Sequence, residues 1–404
     1  MGPSSGQQQP HASRPLLLHH QVSSTPANTR SVPVGNLKVV INARHLIGPH
    51  TGIEVYMQQL LEALSRTGRV DITALSWAPL DLGLPGVREV VPVRRPEMSG
   101  LRATLWKVWF DQWYSFRAVA GESALLVHGM DGFLPYSVRS RDRCVATVHD
   151  LGWQVHPKLY DRRLRVMYGA LFPWVRRRAN RFIAVSRYTA DDLVRRAGVP
   201  ANKIDVVYHG LDPVFATFDH SAASSASEFP YVLAVGGVSP RKNTRRLIAA
   251  FTRWRERGSH RAGYRLLITG TSLDREFMQE GTGLPEGVSL LGYVDKSKLP
   301  GLYASAAAFL YPGIYEGFGL PIIEAMACGT PVVTSQTGAA PEIAGGAAIL
   351  VDPFEVESIE AGLEQATHSE EAERLRTLGI ARSRQFEWSA AAEATLEAYN
   401  RTIR

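Results

Sequence analysis

The sequence predicts an α/β protein with two parallel sheets, and three observations support this prediction. From Leu37 onward, short apolar runs alternate with amphipathic segments, which is typical of parallel sheets covered by helices on both faces. A stretch rich in Ser and Ala interrupts the alternation between residues 216 and 230, and the alternation then begins again. Such a stretch is typical of a linker. The length of 404 residues suits two cores better than one.

The first half carries six predicted strands and a clear amphipathic helix. The helix is predicted over residues 51–64, because Tyr56, Leu60 and Leu64 recur on one face together with Ile53 and Leu61. The predicted strands are residues 39–41, 71–75, 124–128, 145–148, 182–185 and 204–207.

The second half repeats the pattern after the linker. The predicted strands are residues 231–235, 265–269, 288–290, 307–311 and 331–334. Two sheet domains joined by a linker leave a cleft between them. Open parallel sheets bind ligands at the carboxyl ends of their strands, so the residues that follow the strands are the candidates for a site.

Composition is ordinary for a globular protein and excludes few function classes. Apolar residues make up 45% and charged residues 21%, with a formal net charge of +7. Cys144 and Cys328 are the two cysteines and lie in apolar surroundings, which favours a reducing compartment. A spanning helix is not expected, because the chain has no apolar run of eighteen residues. Residues 1–36 are rich in Ser, Pro, Gln and His without apolar periodicity, which predicts a disordered leader.

The most informative stretch is residues 312–329, PGIYEGFGLPIIEAMACG. It follows a buried strand, crosses a glycine-rich turn and enters a helix, with Pro321 near the helix start and Gly329 at its end. The first amides of such a helix attract anions. Glu316 lies in the loop and Glu324 lies about one turn into the helix, so the two carboxylates can face different parts of one ligand.

This stretch resembles family 4 of the retaining glycosyltransferases, in particular mannosyltransferase-like members of group 1. Two glutamates eight residues apart occur there in the same glycine-rich frame, and a weaker collinear resemblance runs from about Leu37 to the C-terminus. The resemblance implies the GT-B fold, in which two Rossmann-like domains face a central cleft. The implied domains are a leader (1–36), an acceptor-side domain (37–215), a linker (216–230), a nucleotide-sugar domain (231–385) and a C-terminal helix that returns to the first domain (386–404).

The turn at residues 236–243, GGVSPRKN, is implied to bind the donor phosphates. Lys242 stands where the family carries a phosphate-binding lysine, and Gly237 and Arg241 belong to the same turn. Many members have an arginine just after the first glycine, whereas Gly237 and Val238 stand there in this chain. Arg241 is therefore a candidate to replace that contact. The simpler alternative is a solvated turn.

The resemblance implies donor-binding roles for the loop that contains the glutamates. The amides of Gly317, Phe318, Gly319 and Leu320 would hold the diphosphate, and Glu316 would face the transferred sugar. Glu324 would bind the ribose hydroxyls; the alternative is an ordinary surface glutamate. The alternative for the glycines is a turn that serves only strand–helix packing.

Two further candidates lie in the first half. His149 follows a buried strand, and the resemblance implies that it positions the donor sugar; a satisfied core histidine is the alternative. Gly52 stands at the predicted start of the first helix, where its backbone would approach the donor phosphate. Turn chemistry explains Gly52 nearly as well.

The implied reaction is hexose transfer with retention of configuration, with His149, Glu316 and Lys242 as catalytic residues. Attack and departure would share one face of the sugar, and the leaving diphosphate would take the acceptor proton. An Asp-x-Asp element in a metal-binding setting is not found, so no obligatory metal or other cofactor is expected. GDP-mannose is the first expectation for the donor and a UDP-sugar the second. The acceptor would be a saccharide or a lipid-linked saccharide in surface polysaccharide biosynthesis.

Aromatic and basic residues predict a second kind of contact. The segment 101–116 carries Trp106, Trp109 and Trp113 at helical spacing, and the segment 162–181 is rich in arginine. Such composition suits the surface of an anionic membrane, and a core-facing stripe with a solvated charged face explains it equally well. The expected location is cytoplasmic, with the inner membrane face as a peripheral site. Nucleic acid is not an expected partner, because no recognition motif accompanies the arginines.

Rival classes remain open at this stage. A nucleotide-sugar epimerase or a phosphorylase can have the same architecture, and so can a non-catalytic subunit that binds a nucleotide sugar. The combination of Lys242, Glu316 and Glu324 argues against a purely binding role. An epimerase would convert its nucleotide sugar without an acceptor, and a phosphorylase would carry a pyridoxal chromophore.

Overall fold

The computed structural model describes residues 36–47, 52–119, 126–218, 228–270 and 283–404. These residues belong to one compact unit, Asn36–Arg404. Residues 1–35 of the predicted leader, residues 48–51 before the first helix and residues 219–227 of the predicted linker lie outside the described residues.

The first sheet has seven parallel strands in the order β3-β2-β1-β4-β5-β6-β7. Its central strands are buried on both faces, as expected for a sheet covered by helices. The strands are β1 (Leu37–Asn42), β2 (Val70–Leu75), β3 (Val87–Val90), β4 (Leu126–Gly129), β5 (Arg143–Val148), β6 (Arg181–Ala184) and β7 (Ile204–Val206).

The second sheet has six parallel strands in the order β10-β9-β8-β11-β12-β13. The two sheets confirm the predicted fold class of two Rossmann-like domains. The strands are β8 (Tyr231–Val235), β9 (Arg265–Thr269), β10 (Val288–Gly292), β11 (Ala308–Tyr311), β12 (Val332–Ser335) and β13 (Ile349–Val351).

Helices connect the parallel strands and supply the outer layers of both sheets. The longest in the first half are α1 (Gly52–Arg66) and α4 (Arg162–Arg178). The others there are α2 (Gly100–Trp109), α3 (Gly152–Val155), α5 (Arg187–Arg195) and α6 (Pro213–Ala216). In the second half they are α7 (Thr244–Glu256), α8 (Leu299–Ala304), α9 (Leu320–Ala327), α10 (Ala340–Ala344), α11 (Val356–Thr367), α12 (Ser369–Ser383) and α13 (Trp388–Ile403).

Helix α13 follows the second sheet in sequence but packs on the first. Trp388, Leu396 and Tyr399 belong to the same buried cluster as α1 and the strands β1 and β2. The Tyr399 hydroxyl lies 2.7 Å from Nδ1 of the buried His128 on β4. Residues from both ends of the described chain therefore build the core of the first domain.

The described residues contain no helix that is long and apolar enough to cross a membrane. Cys144 and Cys328 are both buried and free. Burial raises the pKa of the Cys144 thiol to about 12, so this thiol stays protonated at neutral pH.

Candidate functional site

The site forms where the carboxyl ends of strands from the two sheets meet. His149 directly follows β5 of the first sheet, and Gly236 and Pro312 directly follow β8 and β11 of the second. A Cβ atom on Gly317 would lie 1.7 Å from the carbonyl oxygen of His149. The glycine loop of the second domain is therefore in direct contact with the strand end of the first domain, and only glycine fits there.

Three charged side chains form the centre of the site. Lys242 Nζ lies 2.9 Å from Glu316 Oε1, and Arg241 Nη1 lies 3.1 Å from Glu316 Oε2. The Lys242 and Glu316 side chains are 14% and 11% exposed, so this is a nearly buried cluster with one more positive than negative charge. Lys242 and Arg241 lie in the turn before α7.

The pKa shifts of the cluster follow from burial and charge pairing. Burial acts to raise the pKa of Glu316, but Lys242 and Arg241 outweigh it and hold this pKa below its ordinary value. The charge of Glu316 raises the pKa of Arg241 further above its ordinary value. Burial lowers the pKa of Lys242, and Glu316 opposes that effect. Glu316 is therefore ionised at neutral pH.

Tyr311 lies beneath the lysine and was not among the sequence candidates. It is the last residue of β11, and its ring centroid lies 4.4 Å from Lys242 Nζ, a cation–π contact. The Tyr311 hydroxyl also accepts a hydrogen bond from the same ammonium group. The ring fixes where the charge of Lys242 lies. A tyrosine at the end of an apolar strand gives no sequence signal for this role.

The glycines before Lys242 let its side chain pass close to the backbone. Gly236 has a φ of +113°, and a Cβ there would lie 2.9 Å from Lys242 Cε. Gly237 has a φ of +74° and packs against Gly270, where a Cβ would lie 2.4 Å from the Gly237 nitrogen. Positive φ favours glycine, so packing alone accounts for the glycines of this turn.

Glu324 lies on α9, half-buried and away from the charged cluster. The Tyr303 hydroxyl donates a hydrogen bond of 3.1 Å to Glu324 Oε2. Burial raises the pKa of Glu324 to about 7, and the Tyr303 hydrogen bond opposes this shift. The two glutamates of the motif thus differ in protonation near neutral pH, because only Glu316 has cationic partners at hydrogen-bonding distance.

The loop from Gly317 to Leu320 leads into α9. Leu320 is the first residue of the helix, and Gly319 before it has a φ of +98°. The Phe318 side chain is 5% exposed and packs on the His209 ring at 4.5 Å between centroids. The side chain of Phe318 therefore belongs to the core, and only its backbone remains as a group that can contact a ligand.

The His149 side chain is held by contacts within the first domain. Its Nε2 lies 2.8 Å from the carbonyl oxygen of Met130, and its ring meets the Tyr56 ring edge-on at 4.8 Å. A carbonyl can only accept, so Nε2 carries the proton. Burial lowers the pKa of His149, so the ring is neutral at pH 7 and Nδ1 is a hydrogen-bond acceptor.

Gly52 is the first residue of α1, and residues 48–51 before it lie outside the described part of the chain. Within the described part, a Cβ at Gly52 would meet no atom within 4 Å. Packing does not explain this glycine, and its predicted role in backbone approach stays a prediction.

Ser186 connects the glycine loop to the first domain. Its hydroxyl donates a hydrogen bond of 2.6 Å to the Gly317 carbonyl and accepts one of 3.0 Å from the Thr189 amide, the N-cap of α5. Glu342 of α10 makes a second contact between the domains by accepting hydrogen bonds from the amides of Arg187 and Tyr188. Both contacts join residues that are more than 120 positions apart in the sequence.

The described residues contain no group of three or more His, Cys, Asp or Glu side chains arranged to hold a metal ion. The residues suited to a diphosphate are Lys242 and Arg241, which pair with Glu316 in the loop that leads into α9. The residues suited to hydroxyl groups are Glu316 and Glu324. This arrangement can bind an anion together with a polyhydroxylated group on either side of it.

Two family models match consecutive parts of the chain. Residues 50–215 match the model described as glycosyltransferase family 4, and residues 216–382 match the model described as glycosyl transferases group 1. The chain therefore belongs to family 4 of the glycosyltransferases and is a glycosyltransferase with the GT-B fold.

Similar proteins agree with this assignment. The chain is 31% identical over 299 residues to O-antigen chain mannosyltransferase B of Escherichia coli, covering 68% of this chain and 74% of that protein. It is 26% identical to O-antigen chain mannosyltransferase RfbU of Salmonella typhimurium, covering 80% and 90%. The structure of Anabaena HepE with UDP and glucose has a TM-score of 0.67 at 19% identity, covering 90% and 100%. This structural match shows the fold alone.

Proposed function

We propose that this glycosyltransferase moves mannose from GDP-mannose, with retention of configuration, to a saccharide carried on a lipid in surface polysaccharide biosynthesis. The observation that carries the proposal is the Lys242–Glu316–Arg241 cluster beside the glycine loop at the start of α9. The choice of mannose is supported by the similarity to the two O-antigen mannosyltransferases.

Lys242 and Arg241 are the proposed diphosphate ligands. Their two positive charges face one carboxylate, so the cluster carries one uncompensated positive charge. A diphosphate beside them would share both cations with Glu316 and would be further stabilised by the amides of Gly317, Phe318, Gly319 and Leu320 at the helix start. Because these side chains and amides can stabilise the negative charge of the diphosphate, we propose that transfer needs no divalent metal. Loss of transfer in EDTA with recovery in manganese would contradict this.

Glu316 and His149 are the proposed contacts to the transferred sugar. Glu316 is ionised and can accept hydrogen bonds from hydroxyls and stabilise positive charge that develops at the anomeric carbon. The neutral His149 presents Nδ1 as a further acceptor. The contact of Gly317 with the His149 carbonyl brings these two groups to the same part of the cleft.

Glu324 is the proposed ribose ligand. It lies on the helix whose first turn would bind the diphosphate, and Tyr303 holds one of its oxygens. The two ribose hydroxyls would donate to the carboxylate, which they do best when it is ionised.

The proposed reaction takes place on one face of the sugar. The bond from the anomeric carbon to the phosphate oxygen breaks as the acceptor oxygen bonds to the same carbon. The acceptor proton passes to the departing diphosphate oxygen. Because the acceptor attacks the anomeric carbon directly, no covalent glycosyl–enzyme intermediate forms. The chain contributes positioning and electrostatic stabilisation, mainly through Lys242, Arg241 and Glu316.

A surface of the first domain supports a lipid-linked acceptor. Helix α4 has one buried residue, Val175, along its seventeen positions, and Val166 is 66% exposed. On α2 and the turn after it, Trp109 and Trp113 are 41% and 46% exposed, whereas Trp106 packs on Trp77 and Phe110. The aromatic stripe is thus divided between the core and the surface.

The exposed aromatics of the two segments are continuous. Trp113 stacks on Tyr136 at 5.7 Å, and Tyr136 packs on Trp174 of α4 at 5.0 Å between centroids. We give the name aromatic-basic surface to a set of exposed residues of these segments and of the chain between them: Trp109, Trp113 and Tyr136, with Leu164, Val166, Arg162, Arg163 and Arg165 at the start of α4, the helix that carries Trp174. Apolar groups among arginines suit the headgroup region of an anionic membrane, and we propose peripheral membrane contact there.

Nucleotide release from a panel of nucleotide sugars, with and without detergent-solubilised lipid-linked saccharides, tests the proposal. We expect GDP release from GDP-mannose that increases with an acceptor. Release only from a UDP-sugar would contradict GDP-mannose as the donor but would still support a glycosyltransferase. Conversion of the donor to an isomer without an acceptor would indicate an epimerase, and nucleotide binding without release under any condition would indicate a binding subunit.

A further inference from the structure

A pocket in the first domain lies beside the proposed donor site and shares His149 with it. Its lining includes Asp131, Phe133, Asp150, Trp153 and Tyr168, together with His149. Aromatic side chains form its walls: Tyr168 stacks on Phe133 at 5.1 Å and lies 5.9 Å from Trp153 between centroids. A pocket with aromatic walls and two carboxylates has the chemistry that binds a pyranose ring, whose C–H faces pack on aromatics and whose hydroxyls donate to carboxylates.

The two carboxylates are held in different ways. Asp131 is held by His45 Nε2 at 2.9 Å and by Arg44 at 3.5 Å. Its pKa is lowered to about 2, because these two partners and the Phe133 amide outweigh the effect of burial. Asp131 is therefore ionised at neutral pH.

Asp150 uses one oxygen to fix its own position. Its Oδ1 accepts a hydrogen bond of 2.9 Å from the Gly152 amide and a longer one of 3.4 Å from the Tyr160 hydroxyl. Among the described residues, no hydrogen bond reaches Oδ2. One oxygen of a positioned carboxylate therefore remains as an acceptor for a hydroxyl group.

The pocket adjoins the proposed reaction centre. A Cβ on Gly317 would lie 3.0 Å from Asp150 Cβ, so Asp150 touches the loop that follows Glu316. The charge of Asp150 also contributes to raising the pKa of Arg241. His149 lines the pocket, and its carbonyl oxygen lies against the glycine loop. A sugar in this pocket would have a hydroxyl within reach of a donor sugar held by Glu316 and His149.

The outer wall of the pocket is the helix that carries the aromatic-basic surface. Tyr168 and Phe172 of α4 line the pocket, and Leu164 and Val166 of the same helix are exposed. A saccharide in the pocket would therefore emerge next to the surface proposed to contact lipid headgroups. This matches an acceptor whose sugar end must reach the cleft while its lipid end stays in the membrane.

We propose that this pocket binds the terminal pyranose of the acceptor, with Trp153 and Tyr168 as the apolar walls and Asp131 and Asp150 as hydroxyl acceptors. The inference rests on the proposed function, because it takes the donor to lie at Lys242, Glu316 and Glu324.

Saturation-transfer NMR of the full chain with methyl α-mannopyranoside and related methyl pyranosides, in the presence of GDP, tests the inference. We expect saturable binding of a pyranoside, and a weakening of about tenfold or more in each of Trp153→Ala and Asp150→Asn, since each loses one contact to the sugar. Asp150→Asn keeps the Oδ1 acceptor for the Gly152 amide. Trp109→Ala, an exposed tryptophan outside the pocket, is the matched control and should bind as the unaltered chain does.

The outcomes separate the two proposals. The acceptor pocket would be overturned if both pocket variants bound the pyranoside with unchanged affinity. It would also be overturned if the unaltered chain bound GDP but no pyranoside. In either case the proposed function would still stand. Loss of pyranoside binding with unchanged GDP affinity would support it. Failure to bind GDP or GDP-mannose would overturn the donor site and with it the acceptor pocket.

Discussion

The hydroxyl of Ser186 donates to the carbonyl of Gly317 across the two domains, at 2.6 Å and out of contact with solvent. A peptide group has its carbonyl and its N–H on opposite sides. The Gly317–Phe318 peptide is therefore turned with its oxygen toward the first domain and its N–H away from Ser186. Ser186 positions the loop proposed to hold the diphosphate, although it lies in the domain that does not carry that loop.

We expect Ser186→Ala to lower both stability and turnover. It removes the N-cap of α5 and a buried hydrogen bond, and each loss costs about 1 kcal/mol. Chemical denaturation should show a free energy of unfolding lower by about 2 kcal/mol, and kcat should fall more than donor affinity. Ser389→Ala is the control, because Ser389 is exposed and its hydroxyl forms a hydrogen bond to Glu387 alone among the described residues. Full turnover in the Ser186 variant would contradict a positioning role.

The two glutamates of the motif should respond differently to substitution. We expect Glu316→Gln to lower kcat by about a hundredfold or more while changing GDP affinity little, because its charge would act on the developing cation. We expect Glu324→Gln to weaken GDP binding about tenfold, because it removes a charged acceptor for the ribose. Turnover measurements and calorimetric titration with GDP test this. Equal losses of GDP affinity in both variants would be inconsistent with the assigned positions.

Lys242→Gln should remove the preference for a diphosphate over a monophosphate. In the unaltered chain, GDP should bind more tightly than GMP, since the second phosphate gains a charge-assisted contact worth about 1.5–3 kcal/mol. In the variant, the two affinities should approach each other. Lys298→Gln alters an exposed lysine of the same domain and should preserve the preference. A preference that survives in Lys242→Gln would place the second phosphate elsewhere.

Glu324 should make donor binding depend on pH near neutrality. Because burial raises the pKa of Glu324 to about 7, the carboxyl is protonated at pH 6 and ionised at pH 8. GDP-mannose affinity should therefore rise with pH across this range, and Glu324→Gln should abolish the rise. GDP-mannose is the suitable probe, since its diphosphate is esterified at both ends and lacks the phosphate pKa near 6 of a terminal phosphate.

The same group should affect stability with the opposite trend. Between pH 4.5 and 7 the folded chain holds a proton on Glu324 that the unfolded chain has lost, so the free energy of unfolding of the ligand-free protein falls as pH rises. We expect a contribution of about 1–2 kcal/mol for this half-buried side chain. Glu324→Gln should remove this part of the slope, and a slope identical in both proteins would contradict the shifted pKa.

Membrane contact should depend on three arginines of the aromatic-basic surface. Neutralising Arg162, Arg163 and Arg165 to Gln should reduce binding to anionic vesicles, at about 1 kcal/mol for each charge near the surface. Vesicle co-sedimentation measures this. Arg178 is unsuitable as a probe, because its guanidinium donates to the carbonyls of Arg139 and Asp142.

The control for this experiment changes three exposed arginines elsewhere, Arg195, Arg374 and Arg384. This variant has the same net charge as the first, so a general loss of charge would weaken both equally. Equal binding of the two variants to vesicles would contradict membrane contact through the aromatic-basic surface. Absence of binding by the unaltered chain would do the same.

The sequence predicted the two sheets because buried parallel strands are continuous apolar runs, and β8 and β9 match their predicted bounds. Strands β3 and β13 were not predicted. Both lie at the edges of their sheets. Strand β3, VREV, contains two charged residues and is only partly buried, and β13, ILV, has only three residues, which is too short for a distinctive apolar run. Edge strands depend on the neighbour that they pair with, which the local sequence does not contain.

The site was predictable where the motif lies in one segment and not where it depends on contacts between segments. Glu316, Lys242 and His149 were candidates because each lies in a segment after a predicted strand and matches a motif of the family that the sequence resembles. Three contacts of the site were not predicted, because each joins residues far apart in the sequence. They are the contacts of Tyr311 with Lys242, of Tyr303 with Glu324 and of Ser186 with Gly317. The burial of Phe318 was also not predicted: its side chain packs in the core of the second domain, although it lies in the loop proposed to bind the donor.

Helix α13 has a consequence for the order in which the molecule acquires its structure. Synthesis proceeds from the first domain to the second, yet Trp388, Leu396 and Tyr399 fill the core of the first. During translation an apolar face of the first domain therefore stays uncovered until the second domain and helix α13 have been made. The domain synthesised first is therefore the last to be completed, and its uncovered apolar surface is prone to aggregation over that interval.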